Sequence, residues 1–269
     1  MAVNLWCMST TEVLPHLHTI DKPLTGRVAV VTGATSGIGA ATAQRLVAEG
    51  AAVALIGRRE ERLDKLAVFL DDDGVVPVAA DIADPDDVAR VAEIVRAKLG
   101  RVDLVVANAG QMLGAPWESQ DVAEWDRMID VNVRGLLRTG RAFADDLLAA
   151  AAEGLPADLV HVGSVGGHLT FPNYGVYAAT KAAVAHLTRN LRTELGPRGV
   201  RVKSVEPGLV ATELGDDMAH EAGREMLAGL RQQIASLEPE DIASAIAYAV
   251  AAPPRVNVAE LIVVPTAQG

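Results

Sequence analysis

Residues 27–39 read Arg27-Val-Ala-Val-Val-Thr32-Gly33-Ala34-Thr35-Ser36-Gly37-Ile38-Gly39. The first six form a short apolar run that halts at glycine, the pattern of a strand buried on both faces. From Gly37 the sequence turns Ala-rich and predicts a helix through 49, with Gly50 in the position that ends helices. Glycine permits a tight turn and lets backbone N–H groups approach a pyrophosphate closely. The helix N-terminus adds unpaired donors and a partial positive charge. In this strand–loop–helix setting Gly33, Thr35, Ser36, Gly37, Ile38 and Gly39 are candidate contacts for a nucleotide; elsewhere the same glycines would mean only a turn.

The same alternation continues down the chain. Further strands are predicted at 52–56, 75–80, 103–107, 159–162, 200–205 and 261–264. Helices are predicted at 60–70, 84–99, 122–151, 174–195 and 242–251. Strands separated by helices of this length make βαβ units, whose right-handed crossovers place helices on both faces of a parallel sheet. The expected fold is therefore α/β, a single doubly wound Rossmann-type domain over 23–269 with about seven parallel strands. Residues 1–22 read as an N-terminal arm whose order is left open. The polar, Gly- and charge-rich segment around 209–237 is too long for an ordinary connection and reads as a substrate lid or a plain surface excursion.

Of the 269 residues half are apolar but only 3% aromatic, which suits short apolar strands covered by Ala-rich helices. A net charge of −11 disfavours nucleic acid and anionic membranes as partners, since both require positive fields. Cys7 is the one cysteine, so no disulfide framework or thiolate metal site is expected. No His/Asp/Glu cluster has metal-ligand spacing, and no metal is expected. Neither a membrane-spanning run nor a secretory signal is recognisable, so the chain reads as cytoplasmic.

The second strand ends Ile56-Gly57-Arg58-Arg59. An acidic residue here would bind the ribose 2′-hydroxyl of NAD. Two arginines instead suit a bidentate pairing with a 2′-phosphate, and NADP(H) is the expected cofactor. Arg58, nearer the strand tip, is the stronger candidate; the alternative is that both are solvated at a helix start. Asp81 and Ile82, just past the third strand, are further candidates, with Asp81 either meeting the adenine amino group or capping its own loop.

Tyr177-Ala-Ala-Thr-Lys181 follows the fifth strand in a chain with only 3 tyrosines. Positions i and i+4 share a helix face, so the two side chains can reach one point. A phenol titrates near about pH 10, and a neighbouring ammonium would lower that value and make proton transfer at neutrality feasible. Ser164 could add a hydrogen bond where negative charge develops on a substrate oxygen.

The glycine loop, Asn108-Ala109-Gly110, Asn132, Ser164, Tyr177 and Lys181, in this order, resemble the short-chain dehydrogenase/reductase family over roughly 24–266. The resemblance implies Tyr177 as general acid/base, Lys181 on the nicotinamide ribose, Ser164 polarising a substrate carbonyl and Asn132 holding a relay water. It implies cofactor contacts at Asn108, Ala109 and Gly110 and, after the sixth strand, at Pro207, Gly208, Val210 and Thr212. Ala107 and Glu206 stand where relatives often carry Asn; Glu206 would bear on substrate choice or be a peripheral contact. The tail 256–268 is similar to NADP-preferring bacterial members acting on 3-hydroxy acids and to reductases of natural-product aldehydes.

The implied activity is interconversion of a small ketone or aldehyde and its alcohol. Two narrower alternatives are a serine-like 3-hydroxy acid dehydrogenase and a non-catalytic NADP-binding sensor; the sensor would be expected to lack a catalytic residue. Substrate-pocket candidates are Gln111, Met112, Gly166, His168, Phe171, Asn173 and Met218, with His168 more readily a hydrogen-bonded loop residue than an acid. His161 reads as a buried, satisfied histidine. The helices before and including Tyr177 are the family's usual interface, implying a homodimer or homotetramer. Their Val133, Leu136, Leu137, Ala182, Val184 and Leu187 could equally pack on the protein's own sheet.

Overall fold

The computed structural model describes residues 22–268. Cys7 and almost all of the predicted arm lie outside the described residues. Seven parallel strands form one sheet in the order β3-β2-β1-β4-β5-β6-β7. They are β1 (Val28–Thr32), β2 (Ala52–Gly57), β3 (Val75–Ala79), β4 (Leu104–Ala107), β5 (Asp158–Val162), β6 (Arg201–Pro207) and β7 (Glu260–Val263). The chain builds outward from β1 to β3, then returns to lay β4 beside β1. That reversal opens a crevice at the carboxyl ends of β1 and β4, where ligands of such sheets bind.

Successive residues of β1 serve opposite faces. Ala29 and Val31 pack with α1 (Gly37–Ala48), α2 (Glu60–Leu70) and α9 (Pro239–Ala251). Val30 packs with α3 (Pro85–Leu99), α6 (Ala144–Ala152) and the end of α7 (Gly175–Leu195). Each fully buried Val or Leu contributes about 1.5–3 kcal/mol, and covering both faces is why the strands are apolar throughout rather than alternating. Asp84 caps α3 by accepting from the Asp86 N–H at 2.8 Å, with Pro85 at the first helical position, as its sequence predicts.

The predicted long helix 122–151 is interrupted. It comprises α4 (Val122–Ile129), a wide π turn over Asp130–Gly135, α5 (Leu136–Ala142) and, after a break at Phe143, α6. Phe143 is almost wholly buried and has left helical geometry, with φ −113°. Within 209–237 the structure contains a helix the sequence reading did not resolve, α8 (Glu221–Gln233). The final helix begins at Pro239 rather than 242, because Glu238 and Asp241 form a reciprocal capping box. No helix among the described residues is long and apolar enough to cross a membrane.

At the amino ends of the strands, Asp158 receives Arg27 at 2.9 Å, Arg201 at 2.7 Å and Lys203 at 3.2 Å, all buried. Arg27 also meets Asp103 at 2.5 Å. The charges are mutually paired, and they stand at the end of the sheet opposite the crevice.

Candidate active site

The carboxyl ends of the strands open into one cleft of about 960 Å³. Its first wall is the β1–α1 loop. Gly33 has φ +71°, and a Cβ there would lie 2.9 Å from the Ala109 Cα. Gly39 stands behind the loop, where a Cβ would strike the Gly33 carbonyl; it permits close packing rather than ligand contact. Thr32 stitches the loop to β4, its Oγ1 accepting from the N–H groups of Asn108 (3.0 Å) and Ala109 (3.1 Å). The Asn108 amide returns a hydrogen bond to the Thr32 carbonyl at 2.9 Å. Ser36 precedes α1 without capping it, and no acid occupies the first turn, so the helix start presents its N–H groups to an anion.

At the rim Gly57 ends β2, followed by Arg58 and Arg59 on the cleft wall. Arg59 donates to Thr35 Oγ1 (2.7 Å), Ser36 Oγ (2.8 Å) and Glu213 (2.7 Å). Arg58 has no side-chain hydrogen bond or ion pair among the described residues. Asp81 shows the loop-capping geometry, Oδ1 accepting from the Ala83 N–H at 2.9 Å, while it and Ile82 also line the cleft. This cradle and uncapped helix start fit the pyrophosphate of a dinucleotide, and the arginine at the rim has no partner competing for it among the described residues.

The opposite end carries Ser164, Tyr177 and Lys181, all on the cleft wall. Tyr177 and Lys181 are buried on one face of α7. Burial raises the Tyr177 phenol above its ordinary value, and a hydrogen bond with Ser164 only partly offsets this. That corrects the expected lowering by Lys181. The Lys181 ammonium lies 5.9 Å from the Tyr177 ring centroid and donates to the Val162 carbonyl at 3.0 Å. Desolvation lowers Lys181 itself to about 8. Behind it on β5, His161 is buried against Thr188 Oγ1 at 2.8 Å and held down to about 4 by burial and the Lys181 charge.

Asn132 lies in the π turn, and widening the helix there turns its side chain inward. Its Oδ1 accepts from the Gln111 N–H at 2.7 Å. Its Nδ2 donates to the Gln111 carbonyl at 2.9 Å and to Thr180 Oγ1 at 3.0 Å. The amide therefore ties the loop after β4 to α7, three residues from Tyr177. A phenol, a hydroxyl beside it, a cation beneath it and an anion cradle thus share one cleft, an arrangement able to move a proton at a bound oxygen.

A model described as short chain dehydrogenase matches residues 27–223. The chain belongs to the short-chain dehydrogenase family. An uncharacterized oxidoreductase of Staphylococcus aureus (strain USA300) is 39% identical over 242 residues, which cover 90% of this chain and 98% of the relative. The closed form of a serine dehydrogenase complexed with NADP+ is similar with a TM-score of 0.80 and 32% identity, over 87% of this chain and 93% of that one. A 3-ketoacyl-(acyl-carrier-protein) reductase from Brucella melitensis complexed with NADH gives 0.81 and 31%, over 90% and 98%.

In this short-chain dehydrogenase, Gln111, Met112, Gly166 and Phe171 line the cleft, as do Gly110, Pro207, Gly208, Val210 and Thr212. His168, Asn173 and Met218 do not. His168 Nε2 turns away to meet Glu206 Oε2 at 2.5 Å, and Glu206 Oε1 accepts from Ser204 Oγ at 2.8 Å. Asn173 makes the turn before α7 with φ +69°. Met218 is buried under the cleft beside Leu113, Tyr174 and Leu227. Wall residues not singled out from the sequence include Leu209, Glu213, Asp216, Asp217, Leu227, Leu230, Arg231 and Ile234 from the 209–237 segment, and Gln268; Tyr174, at the edge of the 164–174 stretch, also lines the cleft. Tyr174 is committed: its hydroxyl donates to the Gly223 carbonyl at 2.9 Å, and burial pushes it up to about 12. Of the candidate interface stripe, Leu136 and Val184 pack internally against Ala107, whereas Leu137 is exposed.

Proposed function

We propose that the protein is an NADP(H)-dependent oxidoreductase interconverting a small ketone or aldehyde and its alcohol. The observation that carries this reading is the placement of Ser164, Tyr177 and Lys181 on the wall of the cleft that begins at the α1 cradle. Gly33, Thr35, Ser36, Gly37 and Ile38 would hold the pyrophosphate, Arg58 the 2′-phosphate, and Asn108 to Gly110 with Pro207, Gly208, Val210 and Thr212 the remainder of the cofactor. Bound there, the nicotinamide supplies or accepts hydride. Tyr177 delivers the proton: its raised pKa keeps it protonated at neutral pH, the form that donates to a carbonyl oxygen as negative charge develops. Ser164 donates to the same oxygen, and Lys181 provides the positive charge that favours the phenolate left behind.

The segment 209–237 is assigned as a lid. Asp217 accepts from Gln111 Nε2 at 3.0 Å, and Tyr174 holds Gly223, so the lid reaches both walls of the substrate end. Leu227, Leu230 and Ile234 make that end apolar, which suits a small organic carbonyl. The likeness to a serine dehydrogenase bound to NADP+ and the tail 256–268 support 3-hydroxy acids as the first substrates to try. The test follows nicotinamide absorbance with NADPH and NADH in parallel against ketones, aldehydes and 3-hydroxy acids. Turnover with NADPH exceeding that with NADH is expected. Firm NADPH binding without turnover across the panel would favour the sensor reading.

A further inference from the structure

Glu213, at the start of the 209–237 segment, sits on the cleft wall at its phosphate end. Oε2 accepts from Arg59 Nη1 at 2.7 Å, and Arg62 Nη1 donates to Oε1 at 2.7 Å and Oε2 at 2.9 Å. The other nitrogens of Arg59 face Thr35 Oγ1 and Ser36 Oγ at 2.7–3.1 Å. Both ion pairs are about half exposed, with Glu213 at 50%, and as surface salt bridges they would matter little. Their location is what gives them consequence. Thr35, Ser36, Arg58 and Arg59 are the polar groups a phosphate would meet at this rim, and Glu213 places a fixed carboxylate among them. Arg59 and Arg62 hold that carboxyl down to about 2, so the contact is not opened by protonation under ordinary conditions.

We propose that Glu213 is a latch displaced by the cofactor's 2′-phosphate, an inference that rests on the NADP(H) reading above. In the free protein the carboxylate clasps Arg59 and Arg62 and holds the start of the lid against the β1–α1 loop. Thr212 reinforces this, since a Cβ on Gly37 would lie 2.9 Å from its methyl group. An arriving phosphate carries more charge and more acceptor oxygens than a carboxylate. It takes Arg59 and repels Glu213, freeing residues 212–217. That stretch also carries Asp216, paired with Arg231 at 2.9 Å, and Asp217, bonded to Gln111. Phosphate recognition at one end of the cleft is thereby coupled to the lid at the other. A dinucleotide without the phosphate leaves the latch closed.

The experiment compares the full chain with Glu213→Gln by calorimetric titration of NADPH and NADH and by hydrogen exchange of residues 212–217. Glu213→Gln should bind NADPH about three- to tenfold tighter, as expected for removing one like charge at a partly exposed site, with NADH unchanged. In the wild-type chain, 2′,5′-ADP should speed exchange in 212–217 while 5′-AMP does not. In Glu213→Gln that exchange should be fast without any ligand. Arg62→Gln, which alters no cleft-lining residue, should loosen the same stretch. Unchanged or weaker NADPH binding by Glu213→Gln, an equal gain for NADH, or unaltered exchange in the free variants would overturn the latch. A wild-type chain binding NADPH no tighter than NADH would sink the cofactor reading instead, and the exchange of free Glu213→Gln still reads the latch on its own.

Discussion

Replacing Lys181 by methionine removes the ammonium from the floor of the cleft while keeping a long unbranched stem. The lysine is 6% exposed, and its Nζ has one hydrogen-bond partner among the described residues, the Val162 carbonyl. Its pKa falls from 10.5 to about 8, entirely through desolvation. At about 1.4 kcal/mol per unit, charging it in the fold costs about 3 kcal/mol more than charging it in the unfolded chain. Because the folded value lies below the unfolded one, the unfolded chain holds the extra proton between the two, and wild-type stability rises with pH across that window. At neutral pH the cost is fully present. Lys181→Met should then be more stable than wild type by about 1–2 kcal/mol, the lost hydrogen bond offsetting part of the gain. Raising the pH from about 7 to about 9.5 should shrink the advantage by about 2 kcal/mol. Lys203, also lowered to about 8, titrates in both proteins and cancels in the difference. Urea unfolding of both proteins at several pH values measures this directly. A stability difference that stays flat with pH would mean the ammonium is solvated, and the account of a dry proton-transfer site would fall.

Other outcomes follow from the same geometry. Arg58→Ala should weaken NADPH binding by about 10- to 100-fold, the worth of a charge-assisted pair, and change NADH by less than about twofold. Equal losses in calorimetric titration would count against a 2′-phosphate contact. Asn132→Ala deletes three hydrogen bonds joining Gln111 to Thr180 and should lower stability by about 2–4 kcal/mol in chemical unfolding. An unchanged unfolding midpoint would show that the π turn does not depend on that side chain.

The sheet was legible because burial on both faces writes itself as uninterrupted Val/Ala/Leu runs, and β1 with its glycine loop carries that signal within thirteen residues. Helix α8 was not, because Gly223 and Gly229 dilute its propensity. Gly223 is required by a contact the sequence cannot display: a Cβ there would strike the Gly114 carbonyl. The split of 122–151 was equally hidden, since the hydrogen bonds between Asn132 in the π turn and Gln111 join residues twenty-one positions apart. His168 and Glu206 each stand out singly in the sequence, but their pairing spans thirty-eight residues and turns His168 out of the cleft. For Met218 and Asn173 the sequence offers only loop position, which fixes neighbourhood but not side-chain direction. Tyr177, Lys181 and Ser164 come to one end of the cleft because strand ends and helix phase are set by local pattern. The Tyr177 pKa is raised instead of lowered because burial outweighs the Ser164 hydrogen bond, while the Lys181 ammonium is directed at the Val162 carbonyl.

The central claim is that the Tyr177 hydroxyl delivers the proton during hydride transfer in an NADP(H)-filled cleft. Tyr177→Phe keeps the ring and removes only that hydroxyl. NADPH titration and single-turnover kinetics on the best carbonyl substrate of the panel should show cofactor affinity within about twofold of wild type and hydride transfer slower by about 10²–10⁴-fold. Hydride transfer at the wild-type rate in Tyr177→Phe would contradict it.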